Sequence, residues 1–499
     1  MPENLTSGYF NSAMIADSCL SDMGSQFFMI REATERFMMI APSDQEKDSI
    51  LFEGEELEVD GKNYIKCPLT HHNAAALRER FPHTAPVKIG KVNSFGFGDR
   101  LGNAGTAHLK AVRGSGFRPV LAQQSVRELQ RTGRTASDVL DAATWAVFET
   151  GYSEGFGADG DHLKNEQDID GMLEAGYTML TLDPGEYVQG DAASMNRDEQ
   201  KKALFDLPWD LLEETPEAFL RRVNGIRIPL VAEWILEPGE EEILTAIIKY
   251  GKVIAHTKML ADYIRRDYPA VDPELELSVD ETDHPTTLFE HWLIASQLNR
   301  LGVELVSLAP RFSGEFEKGV DFRGDLSRFT EEYKSHLAIA RIFGDYKLSI
   351  HSGSDKFGVY RAIGALDQGA VHVKTAGTSY LEALRTAAHA DPDFFAEILE
   401  FSKSRFDLDR KTYHISGRVE EVPLLTELNE TEWPSLLNQD DARQVLHVTY
   451  GSVLHSPESE NRSFKKRLMN ILIDHHELYE DYLLRHFGKH LKPFEQQQE

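Results

Sequence analysis

The feature that most constrains this 499-residue chain is a rhythm in its middle. Eight times between about residues 87 and 377, a short apolar run ends in a polar cluster. The runs are Val87–Val92, Pro119–Ala122, Gly155–Ala158, Tyr177–Leu182, Leu275–Val279, Leu305–Ala309, Tyr346–Ile350 and Val371–Val373. Polar stretches follow them, among them Asp159-Gly160-Asp161-His162-Leu163-Lys164, Asp280-Glu281-Thr282-Asp283-His284 and His351-Ser352-Gly353-Ser354. Helical patterns such as Val126–Gly151 and Leu288–Leu301 lie between several of the runs. Strands buried on both faces of a parallel sheet read as continuous apolar runs. Eight of them, each followed by polar residues, predict a TIM-like (β/α)8 barrel, with chemistry collected where the strands end. An open doubly wound sheet would alternate in the same way, but nothing in it requires eight strands.

A barrel of this kind takes about 250 residues, so the chain has extensions. Residues 1–85 predict a strand-rich, mixed α/β unit, with short strands at Phe27–Ile30, Met38–Ile40 and Leu57–Val59 and turn signals at Gly54 and Asp60-Gly61. Residues 86–395 predict the barrel. The long gap between Asp183 and Leu275 predicts a helical insertion at about 190–270, as a lid or subunit contact. Residues 396–499 predict a helical extension, with an amphipathic helix over Ser463–Phe487 and a frayed tail at Gln496–Glu499.

Composition narrows the function. The net charge of −29 repels nucleic acid and anionic membrane, so neither is an expected partner. It also means that an anionic substrate would need local positive charge at its site. Only Cys19 and Cys67 are present, which excludes a disulfide framework and a cysteine-rich zinc module. No apolar stretch reaches about 18 residues, and no signal-peptide pattern opens the chain. A cytoplasmic enzyme is the expectation, with a homo-oligomer as one option for its assembly.

The polar clusters supply candidates. Asp161-His162 ends one run, and its alternative role is a capping loop. Asp280-Glu281-Thr282-Asp283-His284 suits metal binding or acid–base work, although Thr286 and Thr287 could cap a following helix whose dipole would favour these acids. His351 directly follows a run and is a good metal-ligand position. Glu315 is a candidate carboxylate ligand, with Glu317 and Asp321 competing. His162, Glu315 and His351 would make a two-histidine, one-carboxylate set with open positions for substrate oxygens. Arg100, Arg311 and Lys374 lie beyond different runs and could hold an anion. Phe95–Gly98 and Gly377-Thr378-Ser379 could present backbone N–H groups, but neither is a P-loop or a dinucleotide fingerprint.

Five motifs carry a resemblance. Phe95-Gly96-Phe97-Gly98-Asp99-Arg100-Leu101-Gly102, Ala122-Gln123-Gln124-Ser125-Val126-Arg127-Glu128, Gly155-Phe156-Gly157-Ala158-Asp159-Gly160-Asp161-His162-Leu163-Lys164, Ser278-Val279-Asp280-Glu281-Thr282 and Val373-Lys374-Thr375-Ala376-Gly377-Thr378-Ser379-Tyr380 are similar to those of the tagaturonate epimerase family, from about Val87 to Arg385. Gly160 stands where the family motif would have Ala. The resemblance implies a divalent-metal enzyme interconverting D-tagaturonate and D-fructuronate in hexuronate catabolism. It places a proton acceptor on Asp161, a donor on Glu281, and metal ligands on His162, Glu315 and His351. Gln124, Lys164 and Thr378, within these motifs, join Arg100, Arg311 and Lys374 as candidate substrate contacts. Mixed nitrogen and oxygen ligands would allow Zn, Mn, Fe, Co or Ni.

The implied reaction inverts C4 of a 2-ketose acid. The C4 hydrogen is β to the carbonyl carbon and is not activated by it, so retro-aldol cleavage of C3–C4, followed by re-addition to the other aldehyde face, is the easier route. Another metal-dependent sugar-acid aldolase or ketose 3-epimerase is the first alternative reading. A non-catalytic sugar-acid-binding protein is the second.

Overall fold

The computed structural model describes residues 13–43, 51–231, 234–366, 368–456 and 463–495. Five antiparallel strands come first: β1 (Met14–Asp22), β2 (Ser25–Glu32), β3 (Glu35–Ala41), β4 (Glu55–Val59) and β5 (Lys62–Pro68), in spatial order β1-β2-β3-β5-β4. The Asp60-Gly61 signal becomes the two-residue turn between β4 and β5. Both residues have positive φ, 50° and 74°, the backbone twist that a tight hairpin needs. One sheet face, with Phe27, Met29, Met38 and Ile40, packs on Trp145 and Phe148 of the helix Ala136–Thr150. That helix belongs to the next part of the chain, so the sheet is fastened to it by apolar burial.

The next part is a closed barrel of eight parallel strands. They are β6 (Ser94–Phe97), β7 (Arg118–Ser125), β8 (Gly157–Leu163), β9 (Met179–Leu182), then β12 (Glu274–Val279), β13 (Ser307–Pro310), β14 (Lys347–Ile350) and β15 (Val371–Thr375), with β15 pairing back onto β6. Between β9 and β12 lie helices Arg197–Phe205 and Pro216–Val223, the hairpin β10 (Ile228–Val231) and β11 (Trp234–Leu236), and the 28-residue helix Glu240–Asp267. The hairpin was not expected from the helical patterning of this insertion.

Seven of the eight expected runs fall on barrel strands. The first does not. Val87–Val92 is irregular, and β6 is formed by the following Ser94-Phe95-Gly96-Phe97. Phe95 and Phe97 point out of the barrel and pack around Phe487, with ring centroids 6.2 and 5.1 Å away. The glycines serve close approach and not ligand binding. A Cβ on Gly96 would lie 2.7 Å from the Gln123 side-chain oxygen, and one on Gly98 would lie 2.5 Å from the Thr375 carbonyl. The Gly98 N–H itself donates to that carbonyl at 2.6 Å, so it is not offered to a ligand.

The expected helix over Ser463–Phe487 is two helices, Phe464–Asp474 and His476–Glu495, broken at His475. The tail at 496–499 lies outside the described residues. The last helix is fastened by buried charge. His486 bridges Asp355 through Nε2 (2.5 Å) and Glu382 through Nδ1 (3.0 Å), and Arg443 pairs with the other Asp355 oxygen at 2.5 Å. His490 accepts from the Asp355 backbone N–H at 3.0 Å and donates to the His486 carbonyl, so its nitrogens are already used.

Burial opposes charge on His486, but Glu382 and Asp355 outweigh it and raise the pKa to about 8. A folded-state pKa above the unfolded value of about 6.5 gives stability that is full below about pH 6.5 and is lost as pH rises through 8. The expected loss is on the order of 2 kcal/mol. Thermal unfolding of the wild-type protein and of His486→Gln across pH 6–9 checks it: the wild type should lose stability over this window more steeply than the variant.

Candidate active site

The interior of the barrel is polar where a sequence-based reading expects apolar layers. Asp159 and Asp161 on β8, Glu276 on β12 and Lys374 on β15 are all buried. The Lys374 ammonium lies 2.7 Å from Asp159, 2.8 Å from Asp161 and 2.8 Å from Glu276. Thr181 on β9 donates to Asp159 at 2.9 Å, and Gln123 on β7 donates to Asp161 Oδ2 at 3.3 Å. Burial opposes the charge on Lys374, yet the three carboxylates raise its pKa well above the ordinary lysine value. Burial would also raise Asp161, but His162 and Lys374 hold it well below the usual carboxylate range. Asp159, fully buried, is pushed up to about 6 by burial despite Lys374.

Strand β8 carries an irregularity at the functional end. Its register with β9 shifts between Gly160 and Leu163, and His162 has a φ of 56°. In a regular strand Asp161 and His162 would face opposite sides. A bulge with a left-handed residue re-aims one of them, so that both reach the mouth of the barrel. The outcome is a hydrogen bond of 2.8 Å between His162 Nδ1 and Asp161 Oδ1.

Above this network, three donors converge. Side-chain donor atoms of His162, Asp280 and His351 all lie within 4.8 Å of one another. They come from β8 and from the residues just past β12 and β14. His351 Nε2 is 2.7 Å from Glu276, its Nδ1 is 3.0 Å from Asp280, and Ser278 donates to Asp280 at 2.6 Å. Each imidazole thus has one nitrogen fixed by a buried carboxylate, Asp161 or Glu276, and the other nitrogen near the cluster. This is the arrangement that orients metal-ligating histidines. Burial disfavours charge on His351, but Asp280 and then Glu276 raise its pKa to about 10. The three donors thus share one site flanked by the buried carboxylates Asp161 and Glu276. Two imidazoles and a carboxylate suit a divalent transition metal.

A cavity of about 520 Å³ opens over this cluster. Asp161, His162, Asp280, Glu281, Arg311, Glu315 and His351 line it, as do Arg100, Arg127 and Lys318. Thr412, Tyr413 and His414 of the C-terminal extension close part of its rim. Glu281 is exposed within it.

The other expected site residues are distributed unevenly. Glu315 lines the cavity but pairs with His414 at 3.0 Å and approaches Arg311 at 4.0 Å, and it is not grouped with the two histidines. Asp280 is. Arg100 is buried, paired with Glu128 at 3.0 Å and stacked 3.5 Å over the Tyr450 ring. Lys374 is occupied by its three carboxylates. Lys164 pairs with Glu186 at 2.7 Å on the surface. Gln124 and Thr378 are buried outside the cavity lining, without hydrogen-bond partners for their side chains among the described residues. Thr287, as anticipated, caps the helix Leu288–Arg300, in a box with Glu290. Sequence reasoning missed Asp159, Glu276 and Gln123. The available signal was Glu276 itself, an acid interrupting the run Leu275–Val279.

The sequence profile of the tagaturonate epimerase family matches residues 16–494. The chain belongs to the tagaturonate epimerase family. It is 40% identical to a tagaturonate/fructuronate epimerase of Thermotoga maritima, over 93% of each chain. A glycerol-complexed crystal structure of a fructuronate-tagaturonate epimerase from Cohnella laeviribosi superposes with a TM-score of 0.89 at 37% identity, covering 97% of this chain and 96% of that one. The native crystal structure of the same enzyme gives 0.88 at 37% identity, with 96% of each chain covered. As a member of this epimerase family the chain is an enzyme, an isomerase acting on carbohydrate. Among the described residues no helix is long and apolar enough to cross a membrane.

The Lys374 cluster makes a direct prediction. Lys374→Met leaves three buried carboxylates without their cation and should destabilise the fold by about 3–5 kcal/mol. Denaturant unfolding measures it. Wild-type stability in the variant would show that the ammonium is dispensable.

Proposed function

We propose that the enzyme interconverts D-tagaturonate and D-fructuronate by inverting C4, in hexuronate catabolism. The observation that carries this reading is the convergence of His162, Asp280 and His351 at the mouth of the barrel, beside Asp161 and Glu281, in a member of this family. We assign the three converging residues as holders of a divalent metal, with Asp280 in place of Glu315. When bound, such a cation supplies Lewis-acid charge to the oxygens beside the substrate carbonyl.

The chain's own groups handle the proton. Asp161 is kept ionised by His162 and Lys374. Its Oδ1 is taken by those two partners, whereas Oδ2 has only the long contact from Gln123. Asp161 Oδ2 accepts the C4 hydroxyl proton as C3–C4 cleaves to an aldehyde and a C2–C3 enediolate. The aldehyde turns over within the cavity, and C3 adds to its other face. Glu281, on a separate strand end and open to the cavity, returns a proton to the new C4 oxygen. Solvent exchange of the two carboxyl groups resets them. The cavity walls keep the two fragments together, so that recombination outpaces escape.

Tagaturonate added to metal-stripped and metal-restored enzyme should give fructuronate, followed by NMR, only after restoration. Metal-independent turnover would end the metal assignment. In deuterated solvent the product should carry no deuterium at C4, because that hydrogen never leaves carbon, and incorporation there would refute the retro-aldol route.

The ligand assignment has its own test. Asp280→Ala should lower metal content on dialysis and reduce turnover by at least about 100-fold. Glu315→Ala should keep its metal. The reverse pattern would restore Glu315 as the ligand.

A further inference from the structure

A sugar acid needs a grip for its carboxylate, and the cations first expected to provide one are largely committed elsewhere. Arg100 donates to Glu128 and to the His447 carbonyl, and Lys374 is held by three carboxylates. Arg311 faces Glu315. Two other cations line the cavity, Arg127 and Lys318. Both are half-buried, and among the described residues neither side chain makes an ion pair or a hydrogen bond. In a chain with 82 acidic and 53 basic residues, two half-buried cations without acids at one cavity call for an explanation.

Local structure sharpens the point. Arg127 lies in the first turn of the helix Val126–Thr132, capped by Ser125. Helix starts favour acids, because unpaired N–H groups and the dipole put positive charge there. An arginine at this position gains nothing from its own helix. Lys318 adds to a group of cations, Arg100, Arg443 and Lys356, in which Asp355 and Asp321 are the nearby acids. Burial lowers the pKa of His447, and Arg100, Lys318 and Arg443 lower it further. Burial pushes Lys356 down to about 7, with Lys318 acting in the same direction. Arg443 is answered by Asp355, and Lys356 by the carbonyls of Glu317, Val320 and Ser354. Lys318 has no such answer.

Their placement fits one end of a hexulosonate. His162 is within β8, and Asp280 and His351 directly follow β12 and β14. Lys318 is eight residues past the end of β13, and Arg127 is on the helix after β7. Lys318 thus lies on the loop beyond β13 and Arg127 in the first turn of the helix after β7, both lining the cavity that holds the proposed metal and acid–base groups. We propose that Arg127 and Lys318 bind the substrate carboxylate and set the enzyme's preference for sugar acids over neutral ketoses. This rests on the reading of the cavity as the epimerase site. Arg127 would take the carboxylate as a fork, and Lys318 as a point charge.

The test compares Arg127→Met and Lys318→Met with Arg127→Lys and Lys318→Arg. Steady-state kinetics use D-tagaturonate, with D-tagatose, its neutral counterpart, as a competing inhibitor. Thermal unfolding and metal content are recorded for each protein. Each methionine variant should raise the KM for tagaturonate about 10–100-fold, with kcat changed little. The Ki for tagatose should stay near its wild-type value, and the variants that keep the charge should recover most of the loss. A KM that stays at the wild-type value in both methionine variants would overturn this assignment alone, provided the wild type converts tagaturonate. Equal weakening of tagaturonate and tagatose would overturn it too, as the mark of a structural role. A wild-type enzyme inert toward tagaturonate would instead remove the epimerase reading and this assignment with it.

Discussion

The arrangement of the site depends on one buried ammonium. Lys374 meets Asp159, Asp161 and Glu276 within 2.8 Å, deep inside a closed barrel. Buried carboxylates are tolerated only when charge and hydrogen bonds answer them. Two of these three also reach outward. Asp161 holds His162, and Glu276 holds His351. One cation thus fixes two carboxylates, and they fix two imidazoles from strands that are not neighbours. This chain of contacts turns a polar barrel core, which contributes little net stability by itself, into a template for the mouth.

The second device is the irregularity in β8. A strand with period two cannot direct consecutive residues to one place. The register shift at Asp161-His162, with its left-handed backbone, removes that limit. Local strain of this kind persists only where its surroundings hold it. Here the hydrogen bond between the two side chains and the ion pair to Lys374 do so.

The barrel was legible because buried parallel strands write apolar runs that tertiary context seldom erases. The first strand was misplaced because Val87, Ile89 and Val92 mimic such a run, whereas the true strand contains one glycine and is followed by another, Gly96 and Gly98, needed for close packing against Gln123 and Thr375. His162 and His351 could be read as site residues because they sit at the ends of runs, and the structure brings them together. The third member of their group could not be chosen that way. Asp280 and Glu315 both lie beyond strand ends, and only the path of each loop decides that one faces the histidines and the other faces His414. Asp159 and Glu276 lay within or beside the runs, where local pattern treats an acid as an interruption. Their meaning depends on a lysine roughly a hundred or more residues away. Charge alone was equally ambiguous. Arg100, Lys374 and Arg127 are all basic residues in the same set of motifs, and only the identity of their partners separates the committed from the free.

That separation bears on how so acidic a protein could accept an acid. Inside the barrel, Asp159, Asp161 and Glu276 surround the Lys374 ammonium and Asp280 stands beside His351, so a field of carboxylates lies beneath the cavity. A sugar acid approaching carboxylate first would be repelled by it. On the proposed reading, the same field would favour a divalent cation at His162, Asp280 and His351, and it would orient an anionic substrate with its carboxylate away from the strand ends. Arg127 and Lys318, which make no ion pair among the described residues, would then complete the orientation from the cavity lining, with attraction at one end and repulsion at the other. On this argument the buried carboxylates of the core would take part in substrate alignment. Asp159 touches none of His162, Asp280 and His351, so neutralising it should loosen how the sugar acid is oriented more than it changes any metal binding at those three residues.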